Sequence, residues 1–148
     1  MVSSVAKGKK YVNEAMELEE SLGYKCWKPG NKATFFPNKK WHPGSSLPKF
    51  IVSSQSQDVF RVADYIRSDV RPALVQVTTA YESSPYSLAG ERRAKFDNSG
   101  LIGFSFVIMA RVENNRDFKW LRWHKVYPDD EWKGPIRLTK EGKVVQNV

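Results

Sequence analysis

The pattern of hydrophobic and polar residues predicts one clear helix near the start of the chain, over residues 7–22. Its apolar side consists of residues that recur at helical spacing: Tyr11, Ala15, Leu18 and Leu22. This periodicity is typical of an amphipathic helix that packs against a core. Gly23 follows as a natural helix end. Residues 24–27 then alternate polar and apolar side chains, which predicts a short strand.

Three later segments have the pattern of β-strands. Residues 73–79 and 101–112 are dense in apolar and β-branched residues, which predicts two neighbouring buried strands in a central sheet. Residues 118–127 alternate, as expected of a partner strand. The alternation places Trp120, Arg122 and His124 on one face and Leu121 and Trp123 on the other.

The remaining elements complete a single α/β domain with a mixed central sheet flanked by helices. Residues 58–66 form either a strand or a short helix that runs into one. Residues 91–97 predict a short basic helix, ended by an Asn-Ser-Gly turn at 98–100. We expect the domain to span residues 1–148, with its core at about 7–127 and a polar C-terminal extension over 128–148 that wraps the surface or frays.

Residues 28–56 are rich in proline, glycine and small polar residues, which argues against a long element and predicts a long loop. Aromatic residues and lysines are interleaved within it. The rings of Phe35, Phe36 and Trp41 either pin the loop to the core, which is the commoner role of such rings, or stack on nucleic-acid bases. The lysines are expected to face a partner.

The amino-acid composition favours one class of binding partner. The 148 residues carry a formal net charge of +8, and the sequence pI is about 9.6, which favours polyanionic partners such as nucleic acids. The single cysteine, Cys26, excludes an internal disulfide and is expected to be a small core residue. With no signal-peptide pattern at the N-terminus and no apolar run of about 20 residues, we expect a cytoplasmic protein with no membrane partner.

The sequence lacks the motifs of several common binding and catalytic sites. The sequence contains no glycine-rich phosphate-binding motif. One cysteine and two distant histidines, His42 and His124, do not supply a zinc site, and both histidines are expected to be ordinary surface or loop residues. Nothing marks a histidine–aspartate pairing of the kind that a serine or cysteine triad requires.

Two polar residues in apolar surroundings suggest metal chemistry. Gln76 interrupts the buried strand, and Asp64 lies twelve residues earlier between Val62 and Ile66. Carboxylate and amide oxygens are the ligands that Mg²⁺ prefers, and metal-dependent phosphodiester cleavage needs such oxygens to converge. Alternatively, Asp64 caps a strand end and Gln76 faces a solvated surface. Asp58 is either a further oxygen donor or the cap of a turn.

The order of motifs resembles that of the PD-(D/E)XK nuclease superfamily, and more narrowly of archaeal Holliday-junction-resolvase-like and phage-type members. The series is K-G-K-K-Y at the start of the first helix, L-G-Y-K-C-W at its end, then Q-D-V-F-R-V-A-D-Y-I, A-L-V-Q-V-T-T and E-R-R-A-K. It covers roughly residues 7–97 and consists of short, degenerate motifs. The resemblance implies a restriction-endonuclease-like fold.

The resemblance also implies roles for single residues. Asp64 matches the family's metal-binding aspartate, and Gln76 the second ligand position, which makes the carbonyl of Val77 a further ligand. Thr78 stands where the family usually has a lysine that orients the attacking water and stabilises developing charge.

The first helix departs from the family pattern, because Val12 occupies the usual glutamate position. Glu14 is the nearest acidic substitute, but it is turned about 200° away around the helix. Asp58 is the other candidate for the missing acid.

The function implied is a Mg²⁺- or Mn²⁺-dependent DNA endonuclease that acts on structured or branched DNA, and analogy with resolvases makes a homodimer an option. Phosphate contacts are expected from basic residues on one face of the protein: Lys7, Lys9, Lys10, Arg92, Arg93 and Lys95. Two alternatives stay open, namely a catalytically inactive DNA-binding relative and a structural factor that binds another protein. Strong salt dependence of DNA binding distinguishes the last from the others.

Overall fold

The computed structural model describes residues 4–56, 58–60, 62–81, 87–113, 115–129 and 131–145. Within these residues the chain forms two helices and eight strands. In chain order they are α1 (Ser4–Ser21), β1 (Cys26–Trp27), β2 (Asn31–Pro37), β3 (Phe50–Ser56), β4 (Tyr65–Arg67), β5 (Ala73–Tyr81), α2 (Ser87–Asp97), β6 (Ser105–Glu113), β7 (Trp120–Lys125) and β8 (Lys133–Leu138).

Six of the strands form one mixed sheet in the order β1-β4-β5-β6-β7-β8. The two most apolar strands, β5 and β6, are central neighbours and run parallel, with α2 as the connection between them. The other neighbours in the sheet pair antiparallel. The predicted α/β class, the mixed central sheet and the pairing of the two apolar segments are therefore confirmed.

Each face of this sheet is covered by one helix. Tyr11, Ala15 and Leu18 of α1 pack against one face, which we call the α1 face. Ala89 and Phe96 of α2 pack against the opposite face, the α2 face. Burial of apolar side chains on both sides explains why β5 and β6 are apolar along nearly their whole length.

Leu22 does not belong to the helical stripe, contrary to the prediction. The helix ends at Ser21, and Gly23 adopts a positive φ of 99°, so the chain turns away from the core at this point. As a result, 51% of the Leu22 surface is exposed. The predicted stop at Gly23 and the short strand that follows it are both confirmed.

The strand predicted at 101–112 begins later, at Ser105. Gly100 and Gly103 both have positive φ angles, which strand residues do not adopt, so residues 101–104 form an irregular connection. The segment at 58–66 contains less strand than expected. Val59 and Ala63 form an isolated bridge, and β4 itself starts at Tyr65.

Two predictions about irregular segments were wrong. Residues 28–56 are not one loop, because β2 and β3 pair antiparallel as a separate two-stranded sheet and their prolines lie at the strand ends or in the connection. The C-terminal residues do not simply wrap the surface either. They supply β8, which pairs with β7 and buries Leu138 in the core. None of the described helices is long and apolar enough to cross a membrane.

Candidate functional site on the α2 face

Asp64 lies directly before β4 and is bound to β5 through both its backbone and its side chain. Its amide donates a hydrogen bond to the carbonyl of Val75 at 2.8 Å, and its carboxylate Oδ2 accepts one from the amide of Val77 at 2.7 Å. The side chain thus continues the hydrogen-bond ladder of β5 beyond the end of β4. Capping of a strand end, one of the two roles expected for Asp64, is confirmed.

The same carboxylate is largely buried, and this burial raises its pKa to about 6, with a further upward contribution from Asp58. The hydrogen bond from Val77 lowers the pKa, as do the positive charges of Arg92 and Lys95. Asp58 itself is exposed. One acid and two cations therefore act electrostatically on the Asp64 carboxylate.

Gln76 lies on the same side of β5. Because successive strand residues point to opposite faces and Val75 and Val77 pack on the α1 face, Gln76 and Thr78 point to the α2 face. Gln76 is 8% exposed, so the prediction of a solvated glutamine is wrong. Its Nε2 donates to the carbonyl of Val77 at 3.3 Å, which leaves its Oε1 as the atom that can ligate a cation.

Helix α2 brings positive charge onto this face. Its sheet-facing stripe follows the i, i+3, i+4, i+7 pattern and consists of Ala89, Arg92, Arg93 and Phe96. The first and last of these are buried, while the two arginines between them are half-buried. The guanidinium of Arg93 lies 5.5 Å from the ring centroid of Trp123, above the sheet. Basic side chains thus face the sheet rather than only the solvent.

The sequence predicts a basic α2, but not the half-buried position of its two arginines or the effect of the Arg92 and Lys95 charges on Asp64. The spacing of Ala89, Arg92, Arg93 and Phe96 was the available signal, because it makes the arginines part of the apolar stripe. This placement bears on the lysine that the family usually has at the position of Thr78. Thr78 has no positive charge, whereas the charges of Arg92 and Lys95 act on Asp64.

Glu14 is not part of this site. Its Oε2 accepts a hydrogen bond from Nε of Arg111 at 3.1 Å. Arg111 alternates with the α1-facing residues Val107 and Met109 of β6, so the pair lies on the α1 face, on the other side of the sheet from Gln76. Val12 likewise packs against the α1 layer. The proposed replacement of the missing helix acid by Glu14 is therefore wrong.

The six basic residues expected on one face are divided between the two faces of the sheet. Lys7, Lys9 and Lys10 belong to α1, whereas the other three belong to α2. Lys7 is in addition ion-paired with Glu113. The six residues therefore do not lie on one face of the sheet, contrary to the prediction.

In the part of the chain that the structure describes, few side-chain oxygens are candidates for ligating a cation together with Asp64. Among the described residues no group of three or more His, Cys, Asp or Glu side chains is placed to hold a metal ion. The available oxygens are those of Asp64 and Asp58 and the amide oxygen of Gln76. Mg²⁺ retains several waters and is commonly held by only one or two carboxylates, so this small set suits it.

Comparison of the chain with protein-family models, with curated proteins and with solved structures found no match. The resemblance to PD-(D/E)XK nucleases therefore stays a prediction that rests on the sequence motifs.

Proposed function

We propose that the protein is a Mg²⁺-dependent DNA endonuclease with a restriction-endonuclease-like fold. The observation that carries the proposal is a largely buried carboxylate, Asp64, which accepts a hydrogen bond from the amide of Val77 and is acted on by the charges of Arg92 and Lys95 of α2. Val77 lies between Gln76 and Thr78, whose side chains point to the α2 face. The raised pKa of Asp64 supports it, since titratable groups perturbed by burial and by nearby charges are concentrated at functional sites.

In this proposal Asp64, Asp58 and the amide oxygen of Gln76 hold the ion. When bound, Mg²⁺ supplies a more acidic water and stabilises the charge that develops on the phosphate. Arg92 and Lys95 hold the scissile phosphate and compensate for the missing strand lysine. Thr78 hydrogen-bonds the attacking water through its hydroxyl.

DNA is the polymer proposed, because the chain is strongly basic and the resemblance is to DNA nucleases. The motifs are closest to those of junction-resolving members, which favours branched or otherwise structured DNA as the substrate. Phosphate contacts position the DNA and carry no sequence information, so recognition of DNA shape is expected.

A second candidate function is DNA binding without cleavage. It is favoured by the hydrogen bonds that already occupy one oxygen of Asp64 and the carbonyl of Val77. If Asp64 only caps β5 and Gln76 only donates a hydrogen bond to a backbone carbonyl, neither residue binds a metal ion. The basic surface is then the functional part of the protein. The two candidates differ in whether removal of the Asp64 charge affects a reaction.

A cleavage assay on linear, nicked and four-way-junction DNA with Mg²⁺ or Mn²⁺ tests the proposal. We expect Asp64→Asn to abolish cleavage while DNA binding is retained or becomes tighter, because a negative charge that faces the phosphates is removed. Asp117→Asn, at an exposed acid in the turn before β7, is the matched control and should cleave normally. Binding without cleavage by the native protein would favour the second candidate, and cleavage that survives Asp64→Asn would place the active site elsewhere.

A further inference from the structure

The hairpin of β2 and β3 is a separate structural unit, which we call the arm (residues 31–56). Its strands pair with each other from Asn31 opposite Ser56 to Pro37 opposite Phe50, and they do not join the six-stranded sheet. A two-stranded ribbon has little capacity to bury its own side chains. Its surface is therefore available to a partner.

The arm exposes large apolar side chains on both of its faces. Phe35 and Phe36 are 64% and 48% exposed, and Phe50 and Ile51 on the opposite strand are 55% and 52% exposed. Neighbouring strand residues point to opposite faces, so each face carries at least one exposed phenylalanine. Isolated exposed apolar residues are ordinary, but a concentration of them indicates a binding surface. The expectation that Phe35 and Phe36 pin a loop to the core is wrong.

The tip of the arm is held in place by its own hydrogen bonds. The amide of Asn38 donates to the carbonyl of Lys49 at 2.8 Å, and its side-chain Nδ2 donates to the carbonyl of Pro48 at 2.8 Å. Nζ of Lys49 lies 4.9 Å from the ring centroid of Trp41. Lys39 and Lys40 remain exposed at the tip.

The charge of the arm identifies the class of partner. Residues 21–57 contain no aspartate or glutamate. The arm itself carries Lys32, Lys39, Lys40 and Lys49. A segment with four lysines, no acidic residue and exposed rings complements a polyanion with flat apolar groups, which describes a nucleic acid.

We propose that the arm binds unpaired nucleotides of DNA, with Phe35 and Phe36 stacking on bases and Lys39 and Lys40 contacting phosphates. The faces of bases are open to a side chain where the strand is unpaired, whereas in a duplex they are covered by neighbouring base pairs. The choice of DNA rests on the proposed function. The arm adds to it by recognising the unpaired segments found at branches, flaps and ends.

Fluorescence anisotropy with the full chain tests the stacking step, using a labelled single strand of about 16 nucleotides and a duplex of equal length. We expect Phe35→Ala/Phe36→Ala to weaken binding of the single strand by roughly tenfold or more, since stacking on the two rings is lost. The duplex should lose far less. The control is Val70→Ala/Ile102→Ala, which removes two exposed apolar side chains outside the arm, 97% and 87% exposed, and should leave binding unchanged.

Salt titration tests the phosphate step with variants that carry little risk of misfolding. Lys39→Ala/Lys40→Ala should reduce the slope of log affinity against log salt for the single strand by about 0.7 for each phosphate that is no longer bound. Lys140→Ala/Lys143→Ala, at exposed lysines near the C-terminus, should not change that slope.

The outcomes separate the arm from the nuclease. Unchanged single-strand affinity in the phenylalanine variant, in a protein that still binds and cleaves DNA through Asp64, overturns the arm proposal alone. An equal loss on duplex and single strand also overturns it, because that result indicates groove binding. If the phenylalanine variant loses single-strand binding but Asp64→Asn has no effect on cleavage, the arm proposal is supported and the nuclease proposal is contradicted. If the native protein binds neither the single strand nor the duplex, both proposals are contradicted.

Discussion

At the scale of single residues, two properties of Asp64 have opposite effects on the stability of the fold. Its hydrogen bond with Val77 is stabilising, and the burial of its charge is destabilising. Its Oδ2 satisfies the amide of Val77, which would otherwise end the ladder of β5 without a partner there. Its burial, however, penalises the ionised form and raises its pKa to about 6. An uncharged side chain of the same shape could cap the strand without that penalty. The charge of Asp64 therefore lowers the stability of the fold above its pKa.

This difference predicts how stability depends on pH. Because the pKa of Asp64 is higher in the folded than in the unfolded state, the penalty is absent below about pH 4 and is complete above about pH 6. Asp64→Asn, which keeps the acceptor for Val77, should raise the free energy of unfolding at pH 8 by up to about 3 kcal/mol and should change it little at pH 4. Urea unfolding at the two pH values measures this, with Asp117→Asn as the control. A variant less stable than the native protein at pH 8 would show that capping by the charged form dominates.

At the scale of elements, the two helices contribute differently to a DNA-binding surface. The arginines of α2 belong to its sheet-facing stripe, and the charge of Arg92 acts on Asp64, whereas Lys9 and Lys10 of α1 are exposed on the other side of the sheet. Only α2 is therefore placed to hold a phosphate at the candidate site.

Paired variants on the two helices test this asymmetry. Arg92→Ala/Lys95→Ala should weaken duplex binding about equally for all sequences and reduce the salt slope by about 0.9 for each phosphate that is released from the protein. Lys9→Ala/Lys10→Ala removes the same amount of charge from the opposite face and should have a much smaller effect. Salt titrations of DNA affinity compare the two. Equal losses of affinity from both pairs would mean that the DNA contacts both faces of the protein.

At the scale of the whole molecule, the spacing of apolar residues along the sequence is sufficient to predict two kinds of element. These are a helix that buries one continuous stripe of side chains and strands that are buried on both faces. The spacing of Tyr11, Ala15 and Leu18 predicts α1, and the apolar runs predict β5 and β6 as neighbours. The arm and β8 are not predicted, because proline, glycine and polar residues obscure their pattern. Their pairing depends on partners far along the sequence, as between β7 and β8.

The candidate site is predictable only in part for a similar reason. The unusual position of Gln76 in an apolar strand and the motif around Asp64 are visible in the sequence. The face of the sheet on which each acid lies is not visible there, so the sequence offers Glu14 as a candidate for a site from which the sheet separates it. Likewise, the spacing in α2 places its arginines on one stripe with Ala89 and Phe96, but only the structure shows that this stripe packs on the sheet.

The central claim is that Asp64 and Gln76 hold one divalent cation, and Mn²⁺-induced line broadening in NMR spectra tests it without relying on activity. In the native protein, substoichiometric Mn²⁺ should selectively broaden the side-chain amide of Gln76 and the backbone amide of Val77, because a paramagnetic ion bound to their neighbouring oxygens relaxes these protons. The same titration of Asp64→Asn should leave both signals sharp. Broadening that persists in the variant, or that is absent from both residues in the native protein, would contradict the metal site.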